Sequence, residues 1–85
     1  MGLDAVELMM DVEELFDIVI PNPVPEQIAT VGGFTDWVTD RLRAEGRPIP
    51  RDEVRARIVA IVQMLVAVPD PLEDWMSFVG DLGMG

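Results

Sequence analysis

The sequence contains no cysteine and no histidine. The absence of cysteine excludes a disulfide framework and a thiolate metal site, and the absence of histidine removes the commonest general base and the commonest metal ligand. Carboxylates that follow one another, such as those of Glu13 and Glu14, diverge around a helix and do not form a catalytic pair. We therefore predict that the chain is not an enzyme, has no catalytic residues and holds no metal.

Lysine is also missing, as are a secretion signal and any apolar run of the roughly 18 residues that a membrane helix needs. We therefore expect a cytoplasmic protein with no membrane as its partner. The length of 85 residues suits one domain with one core.

The charge is strongly acidic and unevenly distributed. The formal net charge is −10; residues 1–40 contain nine acids and no base, and all six arginines lie between Arg41 and Arg57. Such a surface repels nucleic acid and anionic membranes. Two interpretations stay open: a solvated face that keeps the protein soluble, and a docking face for basic partners, where charge sets the association rate and the specificity.

Apolar spacing predicts helices throughout, with no convincing strand, so the fold class is all-α. The first helix covers residues 3–18, with Asp4 as its N-cap, and a run of prolines ends it. A short helix follows Pro25, and Thr30 caps a longer one that Gly46 ends. The last helix covers residues 52–67, with its apolar C-terminal half buried.

The remaining apolar residues point to a packed C-terminal tail. Residues 72–85 are too apolar to stay free in solvent, so we expect them to fold onto the helices as a loop. The apolar side of the first helix is marked by Val6, Met9, Met10 and Phe16. The positions expected to form most of the core are Leu8, Met9, Val12, Phe16, Ile28, Val31, Phe34, Val38, Ile58, Ile61, Leu65 and Phe78.

Residues 3–21, LDAVELMMDVEELFDIVIP, resemble the second helix of acyl carrier proteins, whose pattern is roughly D-S-L-D-x-V-E-L-x-x-x-x-E-E-x-F-x-x-x-I-P. The similarity continues in PEQIATVGGFTDWV, which resembles the short third helix and the start of the fourth. The residues that match in register are Leu3, Asp4, Val6, Glu7, Leu8, Glu13, Glu14, Phe16, Ile20 and Pro21.

The first helix of that family is found at the other end of the sequence. EVRARIVAIVQMLVAV resembles it, and SFVGDLG (residues 77–83) resembles the stretch that runs from it into D-S-L. The resemblance implies a four-helix bundle with the helix order 2-3-4-1, a circular permutation cut at the modification site. Residues 1–85 then form one domain: residues 3–45 hold helices 2, 3 and 4, residues 46–51 are a linker, and residues 52–83 are helix 1 and the following loop. Permutation is tolerated when the natural termini lie close together.

The position that carries the prosthetic group in the family is altered. There, the serine before Leu-Asp holds 4'-phosphopantetheine, whereas here that position is Gly2. Glycine has no hydroxyl, so no phosphodiester can form on it. Ser77, the only serine, matches a position upstream of the family's D-L-G. We therefore expect no attached cofactor.

The resemblance also implies a docking surface, since partner enzymes of the family recognise the second helix through basic patches. The functions that stay open are an atypical carrier-like module docking on fatty-acid or polyketide biosynthesis enzymes, a structural or oligomerisation module such as a domain-swapped homodimer, and a working carrier with its phosphopantetheine relocated to Ser77. The docking residues implied are Asp4, Glu7, Glu13, Glu14 and Asp17, with Asp11 as an additional acid.

Overall fold

A computed structural model describes residues 3–85 as three α-helices and one short 3-10 helix. Residues 3–85 contain no strand, and Thr30 and Ser77 form an isolated antiparallel bridge. The all-α prediction is therefore confirmed, whereas the prediction for Gly2 falls outside the described residues. The elements are α1 (Leu3–Phe16), the 3-10 helix (Glu26–Ala29), α2 (Val31–Ala44) and α3 (Arg51–Leu65).

The C-terminus of α1 lies two residues before the predicted end and is closed by groups from elsewhere. Asp17 leaves the helix with a φ of 54°, and the Glu13 carboxylate accepts a hydrogen bond from the Ile20 amide at 2.8 Å. The Arg47 guanidinium donates to the carbonyl oxygens of Phe16 and Asp17 at 2.9 and 2.8 Å. Because α1 has no basic residue in its last turn, Arg47 supplies the cation that a helix C-terminus favours.

Replacing Arg47 with methionine is expected to lower the free energy of unfolding by about 1–2 kcal/mol, since two carbonyl groups lose a charged donor and water replaces it only in part. Urea unfolding followed by circular dichroism measures this. Arg43→Met is the control, because Arg43 is exposed and its ion pair with Asp40 is long, at 3.5 Å. Equal unfolding midpoints for the two variants would show that Arg47 does not stabilise the end of α1.

Both ends of α2 follow local sequence signals. At the N-terminus, the Thr30 hydroxyl oxygen accepts a hydrogen bond from the Gly33 amide at 3.1 Å, which confirms the predicted cap. At the C-terminus, Gly46 has a φ of 76°, its amide donates to the Arg43 carbonyl at 3.1 Å, and the Arg47 amide donates to the Leu42 carbonyl at 2.9 Å. This pair of bonds is a Schellman motif, so the predicted stop at Gly46 is also confirmed.

The prediction that Asp4 is the N-cap of the first helix is wrong. The helix already begins at Leu3, so Asp4 lies within its first turn and not before it. A carboxylate at this position still favours the positive end of the helix dipole.

The core lies where α3 packs against both α1 and α2. Nine of the predicted core positions are buried, and Met9, Ile61 and Leu65 are half-buried at its edge. The buried apolar residues that the predicted core lacks are Ala5, Ile18, Leu42, Val54, Val62, Leu72, Leu82 and Met84.

The C-terminal half of α3 is less buried than predicted. Val62 is fully buried, but Met64 is 85% exposed, and Ile61 and Leu65 are only partly covered. The chain leaves α3 at Val66 in an extended conformation, and the Met64 side chain remains uncovered. The prediction of a buried helix end is therefore wrong.

Residues 66–85 contain no α-helix and pack as the predicted loop. The Val31 amide donates to the Met76 carbonyl at 3.0 Å, which fixes the tail beside the start of α2. The rings of Phe34 and Phe78 meet edge to face with centroids 5.8 Å apart. The tail is thus part of the core and brings residues 77–80 next to α1.

Two arginines of α3 bind the tail. Arg55 donates to an Asp74 carboxylate oxygen at 2.7 Å and to the Leu72 carbonyl oxygen, while Arg51 donates to Asp74 at 2.9 Å and also pairs with Asp36. The hydrogen bonds from Arg55 and Arg51 hold the pKa of Asp74 below its usual value.

The lowered pKa of Asp74 makes stability depend on pH. The carboxylate stabilises the fold above its unfolded pKa of about 3.8, and this contribution is lost as the pH falls through the lower folded pKa. Asp74→Asn is expected to lower the free energy of unfolding near neutral pH by less than about 1 kcal/mol, because the carboxylate is half exposed. The variant should also make the free energy of unfolding depend less on pH in the acid range. Urea unfolding between about pH 6 and 2 tests this. Glu73→Gln, at the neighbouring exposed acid, is the matched control for the loss of one carboxylate.

Candidate functional site

Three acids of α1 form a row on one side of the helix, and none of the acids of α1 is fully buried. Glu7, Asp11 and Glu14 follow one another at intervals of four and three residues, which places them on one side. That side faces the C-terminal half of α3, and the two helices enclose a groove. α1 thus presents a continuous row of carboxylates.

The predicted docking acids are not equally available. Glu7, Glu14 and Asp17 are exposed, whereas Asp4 and Asp11 are half-buried. The sixth, the half-buried Glu13, uses one carboxylate oxygen to hold the Ile20 amide. Glu13 therefore has a structural role at the end of α1.

The arginines do not neutralise α1. Each of the six takes part in an ion pair, and among residues 3–85 no pair includes an acid of α1. The negative charge of α1 is therefore uncompensated within this part of the chain, which leaves a negative potential outside the helix. The acids that the arginines pair with are Asp36, Asp40, Glu45, Glu53 and Asp74.

A second exposed feature of α1 is apolar. Leu3, Val6 and Met10 are 86%, 38% and 60% exposed and recur at intervals of three and four residues. The apolar spacing of the sequence predicts that Val6 and Met10 lie on the buried side, and that prediction is wrong. Ala5 and Leu8 are buried instead, because they face the other helices.

An apolar cavity of about 240 Å³ lies beside the first turns of α1. Its walls come from α1, the 3-10 helix, α2 and residues 77–80, so the first turns of α1 and the stretch just before D-L-G are neighbours in space. The lining residues are Ala5, Leu8, Met9, Ile28, Ala29, Phe34, Ser77, Phe78, Val79 and Gly80.

Ser77 reaches this cavity but has a local structural partner. Its hydroxyl oxygen accepts a hydrogen bond from the Asp81 amide at 3.0 Å, and its own amide donates to the Asp81 carboxylate at 2.8 Å. This reciprocal pair resembles a capping box and holds the turn together.

Residues 3–85 contain no group of three or more acids that could together hold a metal ion. None of the helices in the same residues has both the length and the apolar character needed to cross a bilayer.

Comparison with curated proteins finds the acyl carrier protein of Phenylobacterium zucineum (strain HLK1), which is 50% identical over 43 residues. The match covers 51% of this chain and 54% of that protein, so the chain spans about half the length of the curated relative. No family model matches the chain, and no solved structure does. The likeness to a carrier protein bears out the prediction that the chain is not an enzyme. Over half of its length, the chain is similar to an acyl carrier protein.

Proposed function

We propose that this chain is an acyl-carrier-like module that docks on the basic surface of a biosynthetic enzyme and carries no prosthetic arm. The observation that supports docking is that, among residues 3–85, every arginine forms an ion pair and none of these pairs includes an acid of α1. A partner with lysines and arginines would pair with these acids without breaking existing ion pairs. The exposed apolar residues Leu3, Val6 and Met10 add contact area on the same helix.

The proposal includes a circularly permuted architecture in one domain. Residues 3–45 correspond to helices 2, 3 and 4 of acyl carrier proteins, residues 46–51 to the new linker, and residues 52–83 to helix 1 and its loop. The shared cavity supports this order, because it places Ala5 and Gly80 on either side of the proposed break. A collinear alignment with an unpermuted relative includes one side of the break, which agrees with a match over half of each chain.

The similarity to an acyl carrier protein and the negative net charge together indicate the class of the partner. We propose an enzyme of fatty-acid or polyketide biosynthesis with a basic docking surface, in the cytoplasm. Nucleic acid and anionic membranes are excluded by repulsion from a domain of net charge −10.

The docking proposal is tested by measuring binding to a fatty-acid or polyketide synthase component at low salt and at about 0.3 M salt. Glu14→Lys is expected to weaken binding about tenfold at low salt, because an attraction becomes a repulsion. Glu73→Lys makes the same change on the exposed tail and should have little effect. Absence of binding, or binding that salt does not change, would refute the proposal.

The expected absence of 4'-phosphopantetheine gives a separate prediction. Incubation with coenzyme A and a broad-specificity phosphopantetheinyl transferase should leave the intact mass of the protein unchanged. Gly2→Ser restores the hydroxyl at the matching position and is expected to gain one phosphopantetheine. A gain by the unchanged protein that Ser77→Ala abolishes would instead establish a working carrier with a relocated arm.

A further inference from the structure

We propose that the groove between α1 and α3 binds a basic amphipathic helix of a partner protein. This inference rests on the proposed docking function and extends the docking surface from the acids of α1 to the apolar residues of α3. The groove has a volume of about 590 Å³, which is ample for several side chains.

The floor of the groove is apolar and belongs mainly to α3. Ile61 and Leu65 are half-buried, and Met64 is 85% exposed. The buried side of α3 is formed by Val54, Ile58 and Val62. Ile61 and Leu65 pack against the edge of the core and keep part of their apolar surface open to the groove. Binding of a partner would remove this exposed apolar surface from water, which is energetically favourable.

The opposite wall is acidic. Glu7, Asp11 and Glu14 line the groove together with Leu15, which is 46% exposed, and no residue of 3–85 in the lining is a cation. The three acids cover two turns of α1, about 10 Å of helix axis. A partner segment must therefore combine apolar side chains for the floor with cations for the wall.

An α-helix meets both requirements at once. Apolar anchors at i, i+3, i+4 and i+7 would lie along the α3 floor, and lysines or arginines on the flank would reach the carboxylates of α1. A fatty acid, an anionic lipid headgroup or an acidic peptide would bring negative charge beside three carboxylates. The charge of the wall thus selects a basic partner.

The groove can be tested separately from the apolar stripe of α1. Met64 lies in the groove, whereas Met10 lies outside its lining, and both side chains are exposed. Met64→Glu and Met10→Glu therefore introduce the same charge at two exposed methionines of different surfaces. Met64→Gln is a second groove variant, which keeps the net charge unchanged.

The probe is a synthetic helical peptide of roughly 14 residues, about four turns, with leucines on one face and lysines and arginines on its flanks. Binding is measured by fluorescence anisotropy and mapped by amide chemical shifts. We expect Met64→Glu and Met64→Gln to weaken binding at least tenfold and about threefold, respectively, and Met10→Glu to change it less than twofold. Shift changes should include Leu15, Ile61 and Leu65.

Three results would overturn the groove site. One is equal binding of a scrambled peptide of the same composition, which would mean unspecific charge attraction. Another is loss of binding in Met10→Glu alone, which would move the site to the apolar stripe and leave the docking function intact. The third is a dimer in solution that Met64→Glu dissociates, which would make a second copy the occupant. Failure of the docking function itself appears separately, as absence of binding to the synthase component.

Discussion

The Phe16→Ala variant is expected to lose about 3–5 kcal/mol of unfolding free energy, more than any other single substitution proposed for this chain. Phe16 is 3% exposed and ends α1 inside the core. Removing its ring takes away apolar contacts and leaves a cavity that α1 cannot fill without moving from α3. Small domains are stable by only about 5–15 kcal/mol, so this loss is a large share of the total.

The neighbouring residue provides the control for Phe16. Leu15 is 46% exposed on the groove side, so Leu15→Ala is expected to cost about 1 kcal/mol or less. Urea unfolding followed by circular dichroism gives both values. If the two variants are equally stable, α1 does not present Phe16 to the core, and the assigned docking face of α1 is also wrong.

The loss of Phe16 should also reduce docking. The carboxylates of Glu7 and Glu14 are held in a row only while α1 is helical and packed, since an isolated helix of 14 residues is marginal in water. The Phe16→Ala variant should therefore bind a basic partner more weakly than the unchanged protein does. This consequence links the core to the proposed function.

The features that the sequence predicts well are those decided by neighbouring residues. Thr30 caps α2 because its hydroxyl reaches an amide three positions away, and Gly46 ends α2 because it adopts a positive φ. The apolar repeat also identifies most of the core, Phe34 and Val38 among it. Such signals need no knowledge of the rest of the fold.

The features that the sequence does not predict depend on which elements meet. Two adjacent apolar stripes run along α3, and periodicity cannot tell that Val62 is covered while Met64 is not. The same holds for Met10 on α1. Arg47 contacts the end of α1 although the two are separated by about 30 residues in the sequence, and no local pattern predicts such a contact. The groove cannot be read from the sequence for the same reason, because it needs both helices in place.

Helix propensity and tertiary packing favour opposite outcomes at Gly33, in the first turn of α2. By helix propensity alone, Gly33→Ala should stabilise α2 by roughly 1 kcal/mol. In the fold, however, a Cβ at this position would overlap the Gln27 carbonyl oxygen of the 3-10 helix. Two non-bonded heavy atoms cannot occupy the same space, so the 3-10 helix and α2 must move apart.

We expect the clash to outweigh the propensity, with a net loss of about 1–3 kcal/mol for Gly33→Ala, the usual cost of overpacking. Gly46→Ala separates the two causes, since nothing lies within 4 Å of its Cβ and only its φ of 76° is unfavourable. That variant should lose about 1 kcal/mol. Urea unfolding of both variants provides the comparison.

The Gly33 variant also tests the cavity beside α1. The 3-10 helix supplies Ile28 to the cavity wall, and α2 supplies Phe34. Moving the two elements apart should therefore change the amide chemical shifts of Ser77 and Val79 across the cavity, whereas Gly46→Ala should not. If Gly33→Ala is as stable as the unchanged protein and leaves those shifts unaltered, the 3-10 helix does not pack on α2. The cavity that joins the two sides of the proposed permutation would then lose one of its walls.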